Sequence, residues 1–220
     1  MGAVDDVMPT AYGESFDILS ATNEQGQTGT QVFNAIGSAG DNNTFHYSTG
    51  DMVDGFTFTA SYVPANGTTE VESSTDFAVA YTGFEGLTLG YAAGEVDEVP
   101  AANGTEVNGI DESTMFVTYA TGPFTVGYQT SEADGPTTTQ DDDSTAMSIS
   151  YAITDDFSVS YGEHELDLGS STSDQESEGF SASYTMGGTS IKAAFNETTS
   201  VAGVNGTDRE GYEIALVFAF

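Results

Sequence analysis

The chain has 220 residues, of which 2 are basic and 35 are acidic, giving a formal net charge of −33 at pH 7. This charge excludes a nucleic-acid-binding protein, which needs cations to replace the counterions of phosphate. The absence of Cys excludes disulfides and thiolate metal sites. The sequence contains no stretch of 18 apolar residues, the length that a transmembrane helix needs.

The first part of the chain, residues 1–39, has no sustained hydrophobic period. It combines Gly, Ser, Thr, Asn and carboxylates with scattered apolar side chains. A loop of this length is usually functional or disordered, and the apolar side chains indicate that it packs on another part of the protein. We treat it as a segment distinct from the strands that follow.

From about residue 43 the sequence alternates with a period of 2, which is the signature of β-strands with two different faces. One phase is apolar and aromatic, and the other is mostly Thr, Ser, Ala and Gly. This pattern predicts eleven strands: 43–49, 56–63, 75–82, 86–93, 114–121, 124–130, 146–153, 157–164, 179–186, 189–196 and 211–220.

The connections between these strands alternate in length. The short ones, such as 122–123 and 187–188, have the Gly and Pro of tight turns. The long ones, such as 131–145 and 165–178, are acidic and read as solvated loops. This alternation predicts an up-and-down antiparallel meander, with every tight turn at one end of the sheet.

A period of 2 is shared by two architectures, a transmembrane β-barrel and a soluble secreted β-sandwich, for example an adhesin-like binding module with acidic loops. Three features favour the barrel. The connections alternate strictly, the charged residues are placed mainly in the loops, and aromatic residues recur at both ends of the strands, as at two membrane–water interfaces. Several apolar runs are only about five to seven residues long, so neighbouring residues must extend them to the roughly 9–11 that a spanning strand needs.

The last strand, 212–220, alternates strictly, with Tyr212, Ile214, Leu216, Phe218 and Phe220 in one phase. A closed barrel needs such a strand, because no edge can stay unpaired in lipid.

Three stretches resemble Gram-negative bacterial general-diffusion porins. Residues 5–12 are similar to the long third loop that folds into the pore, 43–49 with 55–62 resemble the strand pair after that loop, and 212–220 resemble the final strand. The resemblance implies an all-β, antiparallel up-and-down barrel of sixteen strands in the outer membrane, usually trimeric. It also implies that residues 1–39 are the inward-folded constriction loop, that 40–220 form the barrel, and that five strands precede Met1.

The resemblance further implies where the pore charges lie. Folding of the first segment into the pore makes Asp5, Asp6, Glu14 and Asp17 the candidates for the constriction. His46, Lys192 and Glu213 fall in the inward phase and are candidate pore-wall charges. Since carboxylates favour cations, we expect the pore to prefer cations.

No motif of an enzyme is present. The sequence contains no Gly-x-Ser-x-Gly, no complete His-Glu-x-x-His and no phosphate-binding loop. Two isolated His residues make a weak metal site, and the acidic runs 141–143 and 155–156 could bind Ca²⁺ weakly or serve only as solvated loop charge. We therefore expect a channel without cofactors, whose partners are outer-membrane lipid, small hydrophilic solutes, cations and two further copies of the chain.

Overall fold

The computed structural model describes residues 45–64, 73–96, 99–100, 106–107 and 109–218. Eleven strands form a single antiparallel sheet, and two short strands form a separate hairpin. Within the described part of the chain, no helix has the length and apolar character needed to cross a membrane.

The strands occur in the following order. The first half consists of β1 (Phe45–Ser48), β2 (Phe56–Val63), β3 (Ser74–Phe84), β4 (Leu87–Val96), β5 (Val99–Pro100), β6 (Glu106–Val107) and β7 (Ile110–Thr121). The second half consists of β8 (Phe124–Asp134), β9 (Asp142–Thr154), β10 (Phe157–Leu168), β11 (Gln175–Met186), β12 (Thr189–Thr199) and β13 (Arg209–Phe218).

The predicted meander is confirmed. The order in the large sheet is β1-β2-β3-β4-β7-β8-β9-β10-β11-β12-β13, so each strand pairs with its neighbours in sequence and no crossover occurs. The hairpin of β5 and β6 lies within the predicted long loop 94–113 and was not predicted. The strands β1 and β13 form the two edges of the sheet.

The strands are longer than predicted at their long-loop ends. For example, β9 begins at Asp142 instead of residue 146, and β10 ends at Leu168 instead of residue 164. The residues added here are rich in Asp and Glu. The expectation that the acids are confined to loops is therefore wrong for this part of the sheet, because strand pairing continues through them.

Glycine closes the tight turns. Gly86 follows β3 with φ +76°, and Gly122 follows β7 with φ +56°. Both lie in the left-handed region that favours glycine. Gly86 is also crowded, because a Cβ there would lie 2.1 Å from the carbonyl oxygen of Ala120, whereas a Cβ on Gly122 would meet nothing within 4 Å.

The two faces of the sheet have opposite character. The outward face is apolar and exposed: Phe180 is 52% exposed, Met115 52% and Ile191 48%. Among the described residues no second sheet covers this face, as a soluble sandwich would require. The inward face is polar and largely buried, and its most buried polar residues are Ser61, Ser74, Asp76, Thr114, Thr118, Gln129, Ser131, Ser144, His164, Gln175, Ser177, Ser181, Ser183, Asn196 and Thr198.

Aromatic rings border the outward face at both ends. At the tight-turn end, the rings of Phe124 and Tyr151 are 4.5 Å apart, and those of Phe56 and Tyr81 are 4.7 Å apart. At the long-loop end, the register aligns Tyr161, Phe180, Phe195 and Tyr212 across four adjacent strands. These are the two aromatic girdles predicted from the sequence, and they place the apolar band between them.

Hydrogen bonds join long loops to neighbouring parts of the chain at the long-loop end of the sheet. The backbone N–H of Gly169 donates to the carbonyl oxygen of Asp141 at 2.8 Å and to Oδ1 of Asp142 at 3.0 Å. The N–H of Ala202 donates to Oε1 of Gln175 at 2.9 Å. The loop after β10 is therefore joined to the loop after β8 and the start of β9, and the loop after β12 is joined to the start of β11.

Candidate pore wall

Hydroxyl groups on neighbouring strands hydrogen-bond to each other across the inward face. The hydroxyls of Thr114 and Ser131 are 2.8 Å apart, and the amide of Gln129 donates to Thr114 at 3.4 Å and to Ser131 at 3.3 Å. Thr114 and Ser131 are directly opposite in the register of β7 and β8. The alternation of Thr and Ser with apolar residues places all of these groups on one face.

The same arrangement continues into later strands. Hydroxyl pairs join Ser160 to Ser181 at 2.6 Å and Ser177 to Thr198 at 3.1 Å. Hydroxyl pairs of this kind stabilise strand pairing, and they leave the wall polar without giving it charge. Such a face suits contact with water and with neutral or charged solutes.

A carboxylate lies within this face that the sequence reading did not single out. Asp76 is 1% exposed, and its Oδ2 accepts a hydrogen bond from the Ser61 hydroxyl at 3.1 Å. The register of β2 and β3 pairs these two residues. The alternation of residues along β3 could have predicted this position, because Asp76 is in the opposite phase to the outward Phe77 and Val79.

The two histidines differ in their surroundings. His46 is exposed on β1, where it pairs with Ser61. His164 is only 6% exposed and lies between Ala146 and Ser177 on the inward face. Among the described residues, its Nδ1 has no hydrogen-bond partner. Both histidines occupy inward-phase positions, on strands far apart in the sheet.

Lys192 also lies in the inward phase of its strand, opposite Ala215 on β13 and Ser183 on β11. On β13, Glu213 lies opposite Ala194, which is two residues from Lys192 along β12. The predicted adjacency of their two strands is confirmed, and the register makes the two residues diagonal neighbours instead of direct partners.

One aromatic residue, Phe116, interrupts the hydroxyl wall and was not predicted there. It is 6% exposed and lies on the inward face opposite Gly90. A Cβ on Gly90 would lie 2.0 Å from the Phe116 ring. The glycine therefore gives the ring room to lie flat on the sheet, and the bulk of the ring stays out of the lumen.

Two carboxylates of the acidic run 141–143, which was considered for Ca²⁺, accept hydrogen bonds from backbone N–H groups. Oδ1 of Asp141 accepts from the N–H of Gly135 at 3.1 Å, and Asp142 accepts from Gly169. Among the described residues, no group of three or more His, Asp or Glu is placed to hold a metal ion.

The predicted constriction residues Asp5, Asp6, Glu14 and Asp17 lie outside the described residues, as does the whole of the segment 1–39. The constriction therefore stays a prediction.

The comparisons with known proteins agree on the family. A family model described as Gram-negative porin matches residues 1–199. No curated protein sequence matches the chain. Solved structures that resemble it include a porin refined at 1.8 Å, with a TM-score of 0.65 and 17% identity over 96% of this chain and 74% of that one.

Two further structures are similar at the level of fold. OmpF of Salmonella typhi in complex with daunomycin has a TM-score of 0.61 and 12% identity, over 81% of this chain and 62% of that chain. A trimeric form of the outer membrane protein OmpT of Vibrio cholerae has a TM-score of 0.56 and 13% identity, over 99% and 74%. Another OmpT structure is covered over 64% of its length, so the chain spans about two thirds of such proteins.

A meandering sheet with an apolar outward face, two aromatic girdles and a polar inward face defines the wall of an outer-membrane β-barrel. The chain belongs to the Gram-negative porin family and is located in the outer membrane. The soluble β-sandwich considered from the sequence is thereby set aside.

Proposed function

We propose that the protein forms a water-filled pore through which ions and small hydrophilic solutes cross the outer membrane by passive diffusion. The observation that carries this proposal is the hydroxyl-lined inward face, in which side chains such as Thr114, Ser131 and Ser177 replace an apolar core. A closed barrel with this lining encloses water, because its interior cannot be filled by apolar packing.

We propose further that the pore conducts and does not catalyse. The family and the fold support a channel. Selectivity then depends on pore width and on the charge of the wall and the constriction.

The trimeric OmpT structure supports a homotrimer, which we propose for this protein as well. The homotrimer is tested by the mass of this protein in detergent, measured by light scattering. A mass of three copies is expected, and a mass of one copy would contradict the proposal.

The preferred ion is a cation in this proposal. The inward positions of the described strands include the acids Asp76, Glu112, Asp142 and Glu213 and the bases Lys192 and Arg209. The wall alone is thus only weakly negative, by two charges. Stronger selection is assigned to the segment 1–39, with Asp5, Asp6, Glu14 and Asp17 as a ring of carboxylates near low-dielectric walls.

The test is the reversal potential of the protein in planar bilayers under a salt gradient. The parent should show a cation-to-anion permeability ratio above one, which rises as salt is lowered and screening weakens. Neutralising the four loop acids (D5N, D6N, E14Q, D17N) should bring the ratio close to one.

A matched control removes four negative charges from the outward face, through E163Q, E178Q, E197Q and E210Q. If the loop acids set the selectivity, this control should retain most of the cation preference. An anion-selective parent would contradict the electrostatic proposal, and equal loss in both variants would show that total charge, and not the constriction, sets the selectivity.

A further inference from the structure

An apolar groove crosses the outward face in the middle of the sheet. It has a volume of about 440 Å³ and runs over β8, β9 and β10, where it is lined mainly by Val126, Tyr128, Met147, Ile149 and Tyr161. The described part of the chain places no other element over it. On the lipid-facing side of a barrel, a groove of this kind accommodates a hydrocarbon chain.

A row of carboxylates lies directly beyond this groove, toward the long loops. The register places Glu163 opposite Glu178, Glu178 opposite Glu197, and Glu197 opposite Glu210. Like charges directly opposite on adjacent strands destabilise a sheet. Both basic residues of the chain, Lys192 and Arg209, occupy inward positions of their strands, on the other face.

The row and the apolar groove are continuous. A second groove, of about 460 Å³, follows the carboxylates and is lined by Glu163, Glu178 and Glu197, and it shares Met147 with the apolar groove. Tyr161 joins the two, because its ring lines the apolar groove and its hydroxyl reaches the carboxylates.

The hydroxyl of Tyr161 contacts two carboxylates of the row, and this arrangement favours a positive charge beside them. Its oxygen lies 2.6 Å from Oε1 of Glu163 and 2.8 Å from Oε2 of Glu178. A phenol has a single proton and an ionised carboxylate only accepts, so the hydroxyl can donate to one of the two carboxylates at a time. The remaining contact is favourable only if a proton or an external cation neutralises the pair.

We propose that this composite groove binds an amphiphile with a cationic head group, whose hydrocarbon chain occupies the apolar groove and whose head contacts Glu163, Glu178 and Glu197. The charge of the row is complementary to an ammonium and repels a phosphate. A bare metal ion would use the row and leave the apolar groove empty, whereas an amphiphile of this kind fills both. The proposal depends on the lipid-facing side of the sheet and not on what passes through the pore.

The absence of Trp allows a clean optical test. The substitution Ile149→Trp places a single fluorophore in the apolar groove, and the folded protein is reconstituted into phosphocholine bilayers. Lipids with brominated chains, which quench Trp on contact, are then titrated with trimethylammonium, phosphocholine or phosphoglycerol head groups on identical chains. The trimethylammonium lipid should reach half-maximal quenching at a mole fraction several-fold lower than the phosphocholine lipid.

Two double substitutions, each added to Ile149→Trp, test whether the preference for the trimethylammonium lipid arises at the groove. E163Q/E178Q should bring the ratio of the two half-points close to one, since each exposed charge pair contributes up to about fivefold in affinity. E95Q/D111N removes a second pair of directly opposed outward carboxylates, on β4 and β7, and should leave the ratio unchanged. Heat-dependent migration on gels verifies that each variant is folded.

Three outcomes would overturn the proposal. The first is a ratio of one in the parent. The second is an equal loss in E163Q/E178Q and E95Q/D111N, which would show a general surface field without a groove. The third is preferential quenching by the phosphoglycerol lipid that appears only with added Ca²⁺, which would identify a metal-bridged phosphate as the occupant.

Discussion

The contrast between Gly86 and Gly122 gives a quantitative test of how closely the tight-turn rim is packed. Both glycines have positive φ, +76° and +56°, so an alanine at either position carries the left-handed backbone cost of about 1–2 kcal/mol. Only at Gly86 would the new Cβ meet another strand, at 2.1 Å from the carbonyl oxygen of Ala120. The rim must shift by roughly 1 Å there to restore an ordinary van der Waals separation.

That shift has a second cost. The carbonyl oxygen of Gly86 accepts a hydrogen bond from the N–H of Ala120 at 2.8 Å, which the displacement strains or breaks at a cost of about 1 kcal/mol. Overpacking adds about 1–3 kcal/mol. We therefore expect Gly86→Ala to lower the free energy of unfolding by about 2–4 kcal/mol more than Gly122→Ala.

The assay is urea-induced unfolding of each variant in detergent micelles, followed by the difference in gel migration between folded and heated protein. Gly187→Ala is a further control, with φ +61° and no atom within 4 Å of the added Cβ. Equal destabilisation by all three substitutions would refute the close contact between the turn after β3 and the end of β7.

Two further predictions concern the long-loop end. On intact cells, an endoprotease specific for acidic residues should cut the exposed loop near Asp141, while the acidic tight turn 155–156 stays intact. Cleavage confined to spheroplasts would reverse the predicted orientation. Asp143 lies beyond the apolar band and is largely exposed. The partial desolvation of its carboxyl, followed by the negative charge of Asp167, raises its pKa above the usual value of 3.8. A raised pKa favours the protonated acid in the folded state, so the ionised form is destabilising above the folded pKa. Asp143→Asn should therefore increase stability at pH 7, by less than about 1 kcal/mol because the group is exposed, and the gain should disappear as the pH falls toward 4; a gain that is independent of pH would contradict this account.

The centres of the strands could be predicted from sequence, and their ends could not. Alternation of apolar and small polar residues determines which side chains face outward, so the interior of β10 was predicted correctly. The stretch from Glu165 to Leu168 was read as loop, because acidic residues have low strand propensity. Pairing with Asp142 to Thr145 of β9 extends the strand despite that propensity.

The candidate site shows the same division. The inward direction of Asp76 follows from its phase, whereas its burial depends on which residues of β2 and β4 flank it. The carboxylate row from Glu163 to Glu210 depends on the register of four strands. The two-residue turn 187–188 sets the pair of Glu178 and Glu197, whereas the pairs at either side lie across long loops, whose lengths do not fix the register.

In the proposed pore, the hydroxyl face of the sheet contacts water and the apolar face contacts lipid. The chain has no natural Cys, so single substitutions report without background. Ser150 and Ile149 are neighbours on β9, inward and outward respectively, and Ser150 pairs with Thr125 and Ser160 near the tight-turn end of the wall. With the protein in outer membranes, a charged, membrane-impermeant methanethiosulfonate reagent should label Ser150→Cys rapidly and leave Ile149→Cys unlabelled; rapid labelling of Ile149→Cys with protection of Ser150→Cys would contradict the assignment of the pore wall.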